Sequence, residues 1–363
     1  MIDLLIIGGG PAGLATAIRA RLAGLDACMI DRARPPIDKP CGEGLMPDAV
    51  MRLREIGVEP CGFPFRGIRY LDGDLVAEGH FPATGGLGVR RTELHAALVR
   101  RAQAVGVDLR WGVKAEGLAD GGVRTDQGTL AARWIVGADG LRSQVRAWAG
   151  LGGEPSPLPR FGVRRHFALA PWSDCVEVHW GPACEAYVTP VAGDEVGIAV
   201  LWSRRKADFD GLLASFPVLA ERVAGASVTS RDRGTGPLQQ RVRAVSKDRL
   251  ALVGDAAGYL DAITGEGLAV TLHESAALVE ALLAGDLAPY AAAHRRINRL
   301  PNFMTSMVLG LERRPGLRRR ALRALAAEPA LFDRLLGIHA RTLPPRDLGF
   351  EGALRLAWRL VAA

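Results

Sequence analysis

The chain has 363 residues, of which 48 % are hydrophobic and 23 % are charged, and its formal net charge at pH 7 is +7. This composition is that of a globular protein and excludes an intrinsically disordered one. The length predicts two interleaved domains with large cores.

Positive charge is unevenly distributed along the chain. The segment 290–363 holds 14 arginines, no lysine and five acidic residues, whereas the preceding part is close to neutral. Nucleic-acid binding needs a basic stripe with interleaved aromatic residues, so we expect no nucleic-acid partner. The five cysteines show no C-x-x-C spacing. We therefore expect reduced thiols, no metal site and a cytoplasmic protein.

The first element, residues 2–7 (IDLLII), is predicted to be a β-strand and not a signal peptide, because its apolar run ends at Gly8 and lacks a basic leader. Gly8-x-Gly10-x-x-Gly13 follows and opens a helical stretch, and a second strand ends at Asp31. In such a β-α-β unit the glycines permit a tight turn, close approach of a pyrophosphate and close helix packing. The acidic residue lies where it can bond ribose hydroxyls. The pattern predicts a dinucleotide site without separating FAD from NAD.

The middle of the chain alternates between predicted helices and strands. Residues 32–47 are a Pro/Gly-rich loop, and helices are expected around 48–56 and over 88–105. An apolar strand runs into Asp139-Gly140. The runs CVEVHW, EAYVTPV and EVGIAVLW within 160–203 predict antiparallel strands with one wet face and one buried face. No window of about 18 uncharged apolar residues occurs, so we expect no transmembrane helix.

A second glycine-rich loop distinguishes between the two cofactors. The run RLALVGD predicts a buried strand that ends at Asp255, and the loop continues to Gly267 before a helix. A carboxylate at that strand end can bond a hydroxylated chain, and a glycine loop can present bare N–H groups to a planar ring. NAD dehydrogenases have no need of this element so far downstream of the first motif. The loop therefore favours FAD.

Three motifs in this order, GGGPAG at 8–13, GADG at 137–140 and GDAAG…TGEG at 254–267, resemble those of the FAD-dependent aromatic hydroxylases (class A monooxygenases) and of the related geranylgeranyl-reductase-like flavoproteins. The resemblance extends over about residues 1–285. It implies an α/β fold: a doubly wound, Rossmann-like FAD-binding domain with an inserted antiparallel β-sheet substrate domain and C-terminal helices. The expected division is residues 1–65, 88–150 and 245–300 for the FAD domain, 66–87 and 151–244 for the substrate domain, and 301–363 for a helical basic region.

The resemblance also implies where the cofactor is held. Asp255 would bond the ribityl chain, Asp139 would lie near the pyrophosphate and support reduction by a nicotinamide, and Arg91 would contact the cofactor from its helix. A turn aspartate without a ligand is the alternative for Asp139. The full implied FAD-binding set is Gly8, Gly10, Pro11, Ala12, Gly13, Asp31, Arg32, Cys41, Gly42, Arg91, Asp139, Gly140, Gly254, Asp255, Gly265, Glu266, Gly267 and Leu268.

Two residues of the loop 40–47 are candidate catalytic groups. Pro40-Cys41-Gly42 is similar to a loop that passes close to the flavin ring in the reductase-like branch, where a thiol can donate a proton. The alternative is that Cys41 is a small apolar filler. Glu43 could bond a substrate hydroxyl, or it could be a loop carboxylate in water.

Histidines are the other acid–base candidates. His179 alternates with valines in a predicted strand and could face a pocket, so it completes the catalytic set. His166 and His273 are further candidates. A lone histidine is more often structural, which is the alternative for all three.

The resemblance leaves three functions open. The first is a monooxygenase that uses NAD(P)H as a transient reductant and O₂ to oxidise a small apolar or phenolic, polyketide-type substrate. The second is a flavin ene-reductase like geranylgeranyl reductase. Hydroxylases usually carry a proline just before the Thr-Gly pair, where Ala262-Ile263 stands here, and the halogenase W-x-W-x-I-P segment is absent. Halogenation is therefore not expected.

The third function is that of an FAD-bearing binding or maturation partner of another enzyme. It depends on the segment ERRPGLRRRALRAL, which has five arginines from Arg314 to Arg323. A basic amphipathic helix can lie on an anionic membrane or on an acidic partner. The alternative is the solvated face of a packing helix.

Overall fold

The computed structural model describes residues 2–154, 159–203 and 207–349. The strands, in chain order, are β1 (Ile2–Ile7), β2 (Ala27–Asp31), β3 (Gly44–Leu45), β4 (Phe63–Phe65), β5 (Gly67–Asp72), β6 (Leu75–His80), β7 (Gly86–Gly88), β8 (Asp108–Trp111), β9 (Ala115–Ala119), β10 (Gly122–Thr125), β11 (Gly128–Gly137), β12 (Arg160–Ala168), β13 (Cys175–Gly181), β14 (Cys184–Ala192), β15 (Glu195–Ser203), β16 (Ser227–Val228), β17 (Arg233–Thr235), β18 (Ser246–Lys247) and β19 (Leu250–Leu252).

The α-helices are α1 (Pro11–Leu22), α2 (Pro47–Glu55), α3 (Arg91–Ala104), α4 (Gln144–Trp148), α5 (Phe209–Leu213), α6 (Pro217–Val223), α7 (Gly267–Ala284), α8 (Ala288–Glu312), α9 (Pro315–Ala327) and α10 (Pro329–His339). Short 3-10 turns lie at Gly254–Ala257 and Pro345–Leu348.

The first sheet brings three glycine-containing loops to one edge. Its order is β18-β19-β11-β1-β2-β8, and β1 pairs in parallel with both β2 and β11, which is parallel to β19. The carboxyl ends of β1, β11 and β19 therefore meet, where ligands bind in open α/β sheets. Leu4 and Ile6 of β1, Leu14 of α1 and Leu272 of α7 are fully buried around this sheet.

The second sheet has the order β16-β12-β15-β14-β13-β5-β6. Its strands are antiparallel, except that β5 runs parallel to β13. The expectation of one wet face is wrong, because Val196 to Trp202 of β15 are all buried. Phe209 of α5 packs in the cluster on one face, and Phe332 of α10 packs in the cluster on the other. Helices from distant parts of the chain thus cover both sides.

A small third sheet, β3-β7-β4, joins the loop after β2 to the second sheet. Together these layers confirm the predicted α/β fold class. The expected division into FAD, substrate and C-terminal regions stays a prediction.

Among the described residues, α7 is the one helix whose length and composition would allow it to cross a membrane, and half of it is buried in the protein. Its Leu272 and Leu278 are fully buried in the core around the first sheet. A core helix of this kind meets the same criteria as a membrane span, so α7 adds only weak evidence for one.

Candidate functional site

The turn after β1 has the shape of a phosphate cradle. Gly8 has φ +116°, and a Cβ there would lie 2.4 Å from the Ala138 carbonyl oxygen. A Cβ on Gly13 would lie 1.9 Å from the Gly8 oxygen, so α1 packs directly on the turn. At Gly10 the first atom met is Nη2 of Arg91, 3.9 Å away. The space beside Gly10 is therefore open, and it faces the start of α1, where Pro11 and Ala12 begin the helix without a side-chain cap.

Asp31 holds this turn in place from the end of β2. Its carboxylate accepts hydrogen bonds from Gly9 N (2.7 Å) and Ala33 N (2.8 Å). His95 of α3, which sequence reasoning missed, bonds the Gly9 carbonyl oxygen through Nε2 at 2.8 Å. Burial lowers the pKa of His95. Arg32 is exposed beside this loop.

Arg91 is the first residue of α3 and reaches the same open space. Its backbone N–H donates to Oε1 of Glu43 at 2.7 Å. Its buried Nε has no hydrogen-bond partner among the described residues. A guanidinium with a free donor beside Gly10 suits an anionic ligand.

Asp139, in the loop after β11, has its carboxylate occupied. It accepts from the Ser143 hydroxyl and from Gln144 N at 2.7 Å, so it caps the start of α4. Gly140 adopts φ +81°, and a Cβ there would lie 3.6 Å from Nζ of Lys39. These contacts favour a structural role for Asp139, and its contact with the cofactor stays a prediction.

Arg146 of α4, which sequence reasoning also missed, joins two of the three loops. Its buried guanidinium donates to the carbonyl oxygens of Leu141 (2.8 Å), Asp255 (3.3 Å) and Ala256 (3.1 Å). A basic residue shortly after the GADG motif was the available signal. The bonds fix the loop after β11 against residues 254–267, which we call the flavin loop.

Asp255 carries the most open carboxylate of the flavin loop. It is half-buried, and its carboxylate oxygens make no hydrogen bond to any described residue. Burial raises its pKa, while Arg91, Lys39 and Arg146 oppose the shift. A desolvated carboxylate that faces cations but lacks a hydrogen-bond donor fits a hydroxylated ligand.

Replacing Asp255 by alanine should therefore have two effects of opposite sign. FAD affinity should fall by about 1–3 kcal/mol, the usual cost of losing a buried polar partner. Without FAD the variant should unfold at a higher temperature than wild type, because an unbonded carboxylate is no longer buried. Fluorescence titration measures the FAD affinity and calorimetry measures the unfolding temperature, with Asp120→Ala as the exposed control. An unchanged FAD affinity would contradict this role.

The carboxyl end of the flavin loop is open at Gly265 and Gly267. Gly265 has φ +71°, and a Cβ added there would meet no atom within 4 Å, whereas a Cβ on Gly267 would contact only the Tyr259 ring. Gly254 N donates to the buried Glu274 at 2.9 Å. Glu266 is buried, and burial raises its pKa. Leu268 packs against the core.

Cys41 lies between the cradle and the flavin loop. Its Sγ accepts from Glu43 N at 3.4 Å. Burial raises the pKa of the thiol, with Glu43 adding and Arg91 opposing. Burial raises the pKa of Tyr259 as well, and the electrostatic interaction between Tyr259 and Cys41 adds to this increase. These electrostatic interactions place the thiol near Arg91 and Tyr259. Gly42, beside it, accepts from Thr189 of β14 through its carbonyl oxygen at 2.7 Å.

Glu43 is a buried link between the start of α3 and the second sheet, and not a loop carboxylate in water. It is 3 % exposed and adopts φ +60°, an unusual conformation for a side-chain-bearing residue. Its carboxylate binds Nε2 of His166 on β12 and lies 3.9 Å from Arg164. His166 in turn bonds the Ser230 hydroxyl at 2.8 Å. Glu43 thus positions Cys41 and Arg91, and a direct contact with substrate stays a prediction.

His179 is not brought to this site. It pairs with Ala186 across β13 and β14, and Ala186 lies in the cluster covered by α5. Its neighbour in the ladder, Tyr187, points the other way and donates to the Ile263 carbonyl oxygen of the flavin loop at 2.9 Å. His179 bonds Glu177 at 3.0 Å. Its catalytic role stays a prediction that this geometry does not support.

His273 also serves the fold, since its Nε2 lies 2.7 Å from Asp48 and joins α7 to α2.

A buried cluster anchors the middle of the flavin loop. Arg160 of β12 binds Glu185 of β14 and Asp261 of the loop, and lies 3.6 Å from Glu312 of α8. One guanidinium thus faces three carboxylates. Burial raises the pKa of Glu185 to about 8, opposed by Arg160 and reinforced by Asp261 and Glu312.

Glu185→Gln should flatten the pH dependence of stability. A carboxyl whose pKa is raised in the folded state keeps a proton that the unfolded chain releases, so wild-type stability falls as pH rises from 4.5 to about 8. The variant lacks this titration. Urea unfolding across that range, with Glu221→Gln as the exposed control, measures the difference. Parallel curves for wild type and variant would rule out a raised pKa.

These features fit FAD. The open space at Gly10 and the free Nε of Arg91 suit the pyrophosphate, and the unbonded Asp255 suits the ribityl hydroxyls. The open backbone at Gly265 and Gly267 leaves room for a planar ring.

Comparisons with known proteins agree with this geometry. A family model described as an FAD binding domain matches residues 1–179. Menaquinone reductase of Mycobacterium tuberculosis is 30 % identical over 316 residues, 79 % of this chain and 78 % of that protein. Digeranylgeranylglycerophospholipid reductase 1 of Methanothermobacter thermautotrophicus is 27 % identical over 302 residues, 74 % of this chain and 73 % of that protein.

Among solved structures, a flavoprotein/dehydrogenase of Cytophaga hutchinsonii superposes with a TM-score of 0.83 at 17 % identity, covering 99 % of this chain and 98 % of that one, which shows a shared fold. Sequence motifs, site geometry and relatives lead to one assignment. The chain is an FAD-dependent oxidoreductase and belongs to the flavoprotein superfamily of the class A monooxygenases and the geranylgeranyl-reductase-like enzymes.

Proposed function

We propose that this enzyme is a reductase that adds two hydrogen atoms across a carbon–carbon double bond of an apolar, isoprenoid-type substrate. The observation that carries the proposal is the position of the Cys41 thiol, which Glu43 N holds in the same loop that bonds the first residue of α3 beside the FAD cradle. The two relatives are each named as the reductase of an isoprenoid lipid, and these names support the same substrate class.

An apolar wall adjoins the flavin loop. Tyr259, Ala262 and Ile263 of the loop pack in one cluster with Met46, which follows the Cys41 loop, and with Val308 of α8. A hydrocarbon chain would pack against such a cluster without hydrogen bonds. The cluster therefore favours an isoprenoid over a polar substrate.

The residues divide the work of the reaction. When bound and reduced by NAD(P)H, FAD would supply the hydride for one carbon of the double bond. Cys41 holds the proton for the other carbon, and the resulting thiolate recovers a proton from water. Glu43 orients Cys41 through its N–H bond, while Arg91, Asp255 and the turn at Gly10 hold the cofactor.

Dependence on oxygen separates this function from hydroxylation. A monooxygenase, which the sequence motifs also predict, consumes O₂, whereas a reductase does not. Purified enzyme with FAD, menaquinone and dithionite should form, under anaerobic conditions, the product in which a carbon–carbon double bond of menaquinone is reduced. Product that forms only after O₂ is admitted would overturn the proposal and favour the hydroxylase hypothesis.

A further inference from the structure

Helix α8 packs against the flavin loop. On its inner side, Thr305 bonds Thr264 of the flavin loop, with 3.0 Å between the hydroxyl oxygens. Glu312, at the end of the helix, joins the Arg160 cluster that also holds Asp261. Whatever lies against the outer side of α8 is therefore one helix away from the site.

The outer side of α8 exposes large apolar side chains. Phe303 is 62 % exposed and Met307 is 45 % exposed. They are four residues apart and therefore adjacent on one helix face. Leu317, at the start of α9, is 38 % exposed. The described residues leave these apolar side chains exposed to solvent.

Arginines lie at both ends of this apolar stretch. We define the basic face of α8 as the exposed residues Arg295, Arg296, Arg299, Phe303 and Met307 of the helix together with the exposed Arg313 and Arg314, which directly follow it. At 3.6 residues per turn, the five residues within the helix share one side of it, over about 18 Å of its length. None of the five arginines forms a salt bridge with a described residue, and Glu312, which is buried, is the one acidic residue of α8.

The arginine-rich segment singled out in the sequence behaves differently. Arg318 binds Asp72 at 2.8 Å, and Arg319 binds Asp72 and Asp74. Leu322 of the same helix is buried. Much of α9 is thus a packing helix, and the unpaired charge lies on α8.

We propose that the basic face of α8 docks on an anionic phospholipid membrane. Five unpaired arginines match anionic headgroups, and Phe303 and Met307 between them can enter the headgroup–acyl boundary, as in interfacial helices. The arginines alone would be enough to bind an acidic protein, and such a partner would not explain the exposed phenylalanine at the centre of the face. The benefit to the enzyme rests on the proposed function, since an isoprenoid lipid would enter from the surface that α8 contacts.

Vesicle sedimentation tests the docking directly. The full-length holoenzyme should bind vesicles of phosphatidylcholine with phosphatidylglycerol and bind phosphatidylcholine alone much more weakly. Arg295→Gln/Arg299→Gln/Arg313→Gln should lower the partition coefficient roughly 100-fold, since each arginine near an anionic surface contributes about fivefold. Phe303→Gln/Met307→Gln should lower it about tenfold or more.

Matched controls carry the same changes elsewhere. Arg54→Gln/Arg124→Gln/Arg241→Gln removes three exposed arginines, and Leu283→Gln removes an exposed leucine of α7. Both should bind like wild type. No binding of wild type to anionic vesicles, or an equal loss in the controls, would overturn the proposal. So would a wild-type dimer in solution that the basic-face variants dissociate, because the face would then be covered by a second copy.

The two proposals can fail separately. Basic-face variants should keep wild-type turnover on detergent-dispersed menaquinone and lose it on menaquinone in anionic vesicles. Vesicle binding without any reduction of a double bond would sink the proposed function and leave the docking surface intact.

Discussion

Replacing Cys41 by alanine is expected to lower product formation 10²–10⁴-fold, the usual cost of losing a positioned proton donor. FAD should remain bound and reducible, because the side chain makes one weak bond to Glu43 N and does not build the cradle. Steady-state product formation and the rate of flavin reduction are measured on the same preparation.

Cys61→Ala is the matched control, since Cys61 is an exposed free cysteine. If Cys41 were only a packing residue, as the hydroxylase hypothesis requires, alanine would change turnover by no more than a few-fold. That mild result would remove the proton-donor role from Cys41.

Gly10→Val should abolish FAD binding while leaving the fold intact. The nearest atom to a Cβ at this position is 3.9 Å away, and Gly10 has an extended conformation that valine adopts, so the variant folds. The added methyl groups fill the space that suits the pyrophosphate. Losing two charge-assisted hydrogen bonds, at about 1.5–3 kcal/mol each, corresponds to a rise in Kd of roughly 10²–10⁴-fold.

Gly193→Val is the matched control, because Gly193 is an exposed turn residue with nothing within 4 Å of its Cβ position. Circular dichroism reports the fold and FAD absorbance reports occupancy. A folded Gly10→Val variant that purifies with full FAD would show that this turn does not hold the phosphates.

Local pattern predicted the parts of the site that lie on one sheet edge. Gly8, Asp139 and Asp255 each follow an apolar run, and parallel strands bring their carboxyl ends together. The fold class was implied by the resemblance that the three glycine motifs carry. The open space at Gly10 and the tight packing at Gly13 were likewise expected from their spacing alone.

Pairs between distant residues could not be predicted in this way. The bonds of Glu43 to His166 and of Arg160 to Asp261 join residues about 100 positions apart or more. Such buried polar partners depend on tertiary packing, which one sequence does not display. His179 illustrates a related limit: alternation shows that a strand has two faces, but not which one meets the flavin loop.

The mass of the product tests the account most directly. Menaquinone or another unsaturated isoprenoid lipid is incubated with holoenzyme and reductant in air, and the mass of the product is measured by mass spectrometry. A reductase yields, after the quinone ring has been reoxidised, a product heavier by two hydrogen atoms, and this product retains carbon-bound deuterium when the reaction runs in D₂O. A product heavier by one oxygen atom, with the double bond retained, would contradict the account.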